Sequence, residues 1–216
     1  MHSSPTSVHQ LPAAFDVAAM VVAAAFGAHL ARRRRIPLFG VLLAGVMVGL
    51  GGGMVRDVLL GLEAAAITAW YYIPAVLVAA IISGLTPPRL GFSGLPFVAV
   101  QGVSIGSLVG IGVQKAVEHD APGPSAILLG VITATFGGAL GDVLAGERAA
   151  IMREGHWLLL GIVCGAVVFY LTTIYIGFYA AVVVTVLVVA GLRVSSVRLN
   201  WTSPVFPGDH PRSGDP

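Results

Sequence analysis

The chain has 216 residues, 56% of them hydrophobic and only 10% charged, with a mean hydropathy of +0.91 and a formal net charge of +2. A soluble domain carries about 25% charged residues. So few charges could not cover so much apolar surface in water, which excludes a soluble globular fold and specifies an integral membrane protein.

In chain order, residues 1–12 are polar and lack the basic segment of a signal peptide, so they read as an N-terminal tail, which the charge count below places outside. A helix crosses the bilayer with about 20 apolar residues. That length predicts spans at 13–30, 36–62, 70–85, 95–113, 126–145, 157–172 and 175–192. The last two need a turn between them. No charged side chain occurs from Gly155 to Leu192, and as one helix that stretch would run about 57 Å. Thr172, Thr173, Tyr175 and Gly177 are the most polar and flexible place to turn. Residues 193–216 form a cytoplasmic tail, and the Pro-, Gly-, Asp- and Ser-rich part from Ser203 is expected to be disordered.

Seven spans place Arg32, Arg33, Arg34, Arg35, Arg89, Arg148, Arg153, Arg193, Arg198 and Arg212 on one face and only Lys115 on the other. The basic face is cytoplasmic by the positive-inside rule, which puts the N-terminus outside, the C-terminus inside and the protein in the cell membrane. The run Arg32 to Arg35 is chiefly this orientation signal, and attraction to anionic lipid adds about 1 kcal/mol per basic residue. No soluble domain accompanies the run, so nucleic-acid binding is not expected.

Two spans carry one motif. Gly51-Gly52-Gly53-Met54-Val55-Arg56-Asp57-Val58-Leu59-Leu60-Gly61 reappears 85 positions later as Phe136-Gly137-Gly138-Ala139-Leu140-Gly141-Asp142-Val143-Leu144-Ala145-Gly146. Three spans per copy is an odd number, so the copies enter the membrane from opposite sides. The chain then reads as an inverted repeat, about 13–85 and 95–173, with the helix at 175–192 extra. Each glycine costs a helix about 1 kcal/mol relative to alanine, so kinked second and fifth spans are expected, with freed carbonyls lining a cavity. Asp57 and Asp142 would add negative charge there, and carboxylates with carbonyls suit alkali cations. Arg56 would pair with a carboxylate, hold the kink or bind an anionic group. The plainer alternative is that the glycines only permit close helix crossing. Ionisable residues inside a membrane favour the functional reading.

The motif pair in a seven-span chain resembles the TRIC family of trimeric intracellular cation channels and their bacterial relatives, some labelled glycine transporters. The resemblance covers residues 13–192. It implies a homotrimer in lipid whose protomers each hold a water-filled pore between the kinked second and fifth helices, passing monovalent cations, notably potassium. On this chain the pore residues would be Gly51, Gly52, Gly53, Arg56, Asp57, Gly137, Gly138 and Asp142. Gly141 stands where bacterial relatives often carry the second arginine.

Other signals are weaker. Gly102, Gly106 and Gly110 form a small-residue ridge that suits either an oligomer contact or a contact within the protomer; Gly45 with Gly49 and Gly161 with Gly165 offer similar surfaces. Trp70, Tyr71, Tyr72 and Trp157 read as interfacial anchors. Asp16 reads as an interface residue, Glu63 and Glu147 as solvated caps, and His29 as a packing residue. The single Cys164 rules out an intrachain disulfide and reads as a small packing residue. The six histidines are scattered, and no metal, Walker or serine-hydrolase motif occurs, so neither an enzyme nor a metal site is expected. The reading is a potassium- or sodium-permeable channel without a cofactor, with bound lipid as partner. A secondary transporter of glycine or another small amino acid is the alternative.

Overall fold

The structure, a computed structural model, describes residues 13–87, 94–152 and 157–201, and among these every element is helical. Residues 1–12 and 202–216 of the expected tails, and Arg89, Arg153 and His156, lie outside the described residues, whereas residues 193–198, expected in the tail, continue the last helix. The elements are α1 (Ala13–Arg33), α2 (Leu38–Leu59), a single turn α3 (Ala65–Thr68), α4 (Tyr72–Leu85), α5 (Leu95–Glu118), α6 (Gly123–Leu144), a 3-10 turn (Ala150–Met152), α7 (Leu158–Tyr175) and α8 (Phe178–Arg198). Six are long and apolar enough to cross a membrane, and α4 is a shorter apolar helix of 14 residues, about 21 Å long.

Helix ends follow from local chemistry, and they match between the two halves. Pro37 and Pro122 stand just before α2 and α6, where a missing N–H is not needed. Gly61 (φ +71°) and Gly146 (φ +74°) follow the ends of those helices in the left-handed region. The N–H groups of Leu62 and Glu147 then bond back to the carbonyls of Asp57 and Asp142, which closes a Schellman motif in each half. The helices α1 and α5 close the same way, through Arg35 (φ 59°) and Asp120 (φ 57°). The predicted turn near residue 172 lies at Ile176 and Gly177, where the Gly177 N–H reaches the Thr172 carbonyl.

The two motif helices cross in close contact. A Cβ on Gly52 would collide with the Thr133 carbonyl, and one on Gly137 would stand 2.5 Å from the Val48 carbonyl oxygen. Positions rise along α2 as they fall along α6, so the helices are antiparallel. The other glycine ridges also pack within the chain: Gly45 and Gly49 on α1 and α4, Gly102 and Gly106 on α8, and Gly165 on Val189 of α8. Above this crossing, Met20, Leu50, Val76, Leu108 and Ile111 knit α1, α2, α4 and α5 into a filled core, with Tyr72 among them.

Three expectations need correction. The helices α2 and α6 run unbroken through Gly51, Gly52, Gly53, Gly137 and Gly138, so these glycines do not free backbone carbonyls; Gly51, Gly52, Gly53 and Gly137 allow close approach of neighbouring groups, and Gly138 faces open space. The helix α5 continues past residue 113 to Glu118, which puts Lys115 in its last turn rather than in a loop. Tyr72 is buried inside the core rather than anchored at an interface, because its hydroxyl has a partner there; Trp70 remains exposed.

Candidate ion path

Each motif aspartate lies two residues before the end of its helix and does the same local job. One oxygen of Asp57 accepts the Ala65 N–H at 2.9 Å, and one oxygen of Asp142 accepts the Ala150 N–H at 2.8 Å, so each carboxylate holds the chain eight residues on. The second oxygen differs in partner. Asp57 Oδ1 accepts Arg56 Nε and Lys115 Nζ, both at 2.8 Å. Asp142 Oδ1 accepts Arg34 Nη1 at 3.0 Å. Each acid is thus tied to the far end of the other half's first helix.

Register separates the two sites. Gly52 meets Thr133 and Val48 meets Gly137, so Asp142 lies level with about residue 43 of α2, some 14 residues or ~21 Å from Asp57. The aspartates therefore face opposite ends of the molecule, one shared with Lys115 and one with the arginine run.

At the Lys115 end the acid and its arginine are enclosed. Arg56 and Asp57 side chains are each 1% exposed, and Arg56 Nη1 is buried without a hydrogen-bond partner. Close by, the Tyr72 hydroxyl donates to Asp16 Oδ2 at 2.6 Å, within electrostatic range of Arg56, and buried Asp16 Oδ1 has no partner. Asp16 is therefore a buried element of this cluster, not an interface residue.

At the arginine end the molecule is hollow. A cavity of about 390 Å³ reaches from Arg34, Asp142 and Arg193 inward to Ser104, Leu108 and Thr133. Gly137, Gly138 and Gly141 form part of its wall, with Ala44 and Val48 of α2 and Ala23 and Gly27 of α1. At about 30 Å³ per water, it has room for roughly a dozen water molecules. Gly51 and Gly52 are buried at the helix crossing and Gly53 against Met20 of α1, and none of the three lines the cavity.

The asymmetry coincides with one sequence difference. Arg56 and Gly141 occupy equivalent motif positions. The Arg56 side chain is buried in its half, whereas Gly141 carries no side chain, and a Cβ there would collide with Val48. Gly141 is thus a close-approach position at the cavity wall.

The basic run divides in two. Arg33 and Arg35 are exposed, Arg34 pairs with Asp142, and Arg32 donates to the Gly84 carbonyl at the end of α4. Glu63 and Glu147 are exposed. His29 is buried with its ring 5.8 Å from Phe97. Lys115 and Arg34 as partners of the acids were not legible from spacing: they lie 58 and 108 positions from them. No cluster of metal-ligating side chains occurs among the described residues.

Comparison with known proteins supports the family and the helical fold. A protein-family model described as "Glycine transporter" matches residues 13–87 and 98–174, two segments whose starts are separated as the two motif copies are. The UPF0126 inner membrane protein YadS of Escherichia coli K12 is 31% identical over 201 residues, covering 88% of this chain and 94% of YadS. A UPF0126 membrane protein of Vibrio cholerae is 30% identical over 200 residues, covering 88% of this chain and 81% of that protein. Among solved structures, a TRIC cation channel matches with a TM-score of 0.81 at 23% identity, over 91% of this chain and 97% of that one. The TRIC trimeric intracellular cation channel orthologue of Rhodobacter sphaeroides matches with a TM-score of 0.76 at 24% identity, over 88% and 98%. The matched relatives are described as membrane proteins, and the matched structures as cation channels. The chain is a multi-pass membrane protein that belongs to the family described as "Glycine transporter", it is related to the UPF0126 membrane proteins, and it has the fold of the TRIC channels.

Proposed function

We propose that the chain is a monovalent cation channel, permeable to potassium, with one path through each protomer between α2 and α6. The observation that carries this reading is the 390 Å³ cavity against the two motif helices, with the Asp142 carboxylate at its wall. A carboxylate beside water in a low-dielectric surround favours cation entry. Because α2 and α6 keep their hydrogen bonds, their carbonyls do not replace hydration, and the ion moves with its water shell. Near Thr133 and Leu108 the path narrows into the filled core and ends at Asp57, Arg56 and Lys115. The described conformation is accordingly a closed one, and opening requires the Asp57–Lys115 pair to part. Gly51, Gly52, Gly53, Gly137 and Gly138 are the positions at which α2 and α6 would bend.

The reading includes seven crossings, with α4 as a short third span extended by Trp70 and Tyr71. It places the protein in the cell membrane with the N-terminus outside and the Arg-rich end in the cytoplasm. The fold shared with TRIC channels supports a homotrimer in lipid.

Reconstitution into planar bilayers tests the function. A potassium gradient should produce unitary currents that reverse near the potassium potential, and Asp142→Asn should lower the unitary conductance several-fold. Saturable glycine uptake without unitary current would replace the channel with a carrier.

A further inference from the structure

The offset of 85 residues between the motif copies also relates the two charged ends. It carries Leu38–Leu59 onto Gly123–Leu144 at both ends, and Ala65 onto Ala150 as the N–H donor to each aspartate. It also carries Asp16 onto Gln101 and Arg56 onto Gly141. At the Lys115 end, Asp16 and Asp57 stand with Arg56 and Lys115, and the formal charges cancel. At the other end an amide replaces the first acid, and a guanidinium arrives from α8 rather than α6. Arg193 Nη2 reaches Gln101 Oε1 only at 3.4 Å, and Arg193 Nε is buried without a hydrogen-bond partner. Asp142 is not free to serve it, since its oxygens accept Arg34 Nη1 and the Ala150 N–H. Among the described residues, those that line the cavity with a charge are Arg34, Asp142 and Arg193, which leaves one positive charge in excess. A buried charge calls for a counter-charge and a buried donor for an acceptor, and the described residues supply neither.

We propose that the cavity holds one small monovalent oxyanion, a carboxylate or dihydrogen phosphate, against the Nε–Nη2 edge of Arg193. That edge presents two parallel N–H groups, which suit the paired oxygens of such an ion. Gln101 turns from its long contact and donates its amide N–H to the same ion. The anion takes the place of the carboxylate that Asp16 contributes to the other half, and it leaves the wall neutral. A cavity of about 390 Å³ admits it with water around it. A single charge balances the wall, whereas a dianion would leave it negative. A zwitterion gains less, because its ammonium meets no carboxylate that is not already bonded. The site does not depend on the channel reading, although neutralising Arg193 would also ease the entry of a cation past Asp142.

The proton resonance of acetate tests this, and it should broaden saturably when the full chain in phosphatidylcholine nanodiscs is added. Inorganic phosphate should compete, methylammonium should not, and glycine should bind more weakly than acetate. Arg193→Gln should weaken acetate about tenfold, and Arg193→Lys should restore part of the loss. Arg198→Gln, exposed farther along α8, should change nothing. Gln101→Glu builds the missing carboxylate into the chain. It should abolish acetate binding while the melting temperature holds or rises, which keeps the test decisive if Arg193→Gln fails to fold. The proposal is overturned by no saturable broadening, by equal affinity in wild type and Arg193→Gln, by unchanged binding in Gln101→Glu, or by glycine or methylammonium binding as tightly as acetate. It is also overturned if the site takes only a lipid phosphate, seen as phosphatidylglycerol retained by the wild type and lost in Gln101→Glu, with no response to acetate. Potassium current is measured separately: current without acetate binding removes the anion site and keeps the channel, and binding without current does the reverse.

Discussion

Asp57 and Asp142 share a backbone role and differ in what surrounds their second oxygen. Asp57 is 1% exposed and neutralises a guanidinium that is equally buried, together with Lys115. Asp57→Asn leaves that guanidinium uncompensated, which costs about 3–5 kcal/mol. Asp142 faces Arg34, whose side chain is 18% exposed and can find water. Asp142→Asn should cost less, about 1–2 kcal/mol. Melting of both variants in detergent checks the order: Asp57→Asn should melt well below Asp142→Asn, and the reverse order would contradict the burial argument. The duplicated motif made both acids visible in the sequence. It did not reveal Lys115 or Arg34 as their partners, because the pairing is set by which helix ends meet across the two halves. Asp16 and Tyr72 were unremarkable one at a time, and only the packing of α1 on α4 brings them into contact.

Among the elements, α2 and α6 carry the tightest geometry. Their glycines divide by what stands opposite each one. Gly52 faces the Thr133 backbone, which cannot yield as a flexible side chain would, whereas Gly138 has open space around it. Gly52→Ala should therefore force the helices apart and lower the melting temperature sharply. Gly138→Ala should be neutral or stabilising by up to about 1 kcal/mol, through helix propensity alone. Similar losses in both variants would mean that the glycines act through backbone flexibility rather than close approach. Hydropathy placed these helices, and the Gly-Gly repeat marked them as special. Composition could not separate a broken helix from a close crossing, because glycine permits both; the choice depends on what the neighbouring helix presents at that depth.

Across the whole molecule, the two halves are alike in their ends and unlike in their fillings. Helix caps, the aspartate-to-backbone bonds and the reciprocal ion pairs repeat, while the Asp142 end of the crossing is open and the Asp57 end is packed. The opening coincides with Gly141 in place of an arginine. If ions use this cavity, Gly138→Phe should block potassium current in bilayers with little change in melting temperature, since the ring enters open space. Undiminished current would move the path elsewhere.

The sequence by itself determined the membrane environment, the all-helical class, the duplication and the two acidic positions. Each of these rests on composition, on local hydrogen-bond chemistry or on a repeated string. The tertiary structure alone decided that the acids stand at opposite ends, that the glycines serve a crossing, and that one end is hollow. Those outcomes depend on contacts between residues tens of positions apart, whose register is set by how antiparallel helices pack rather than by any local preference of the chain.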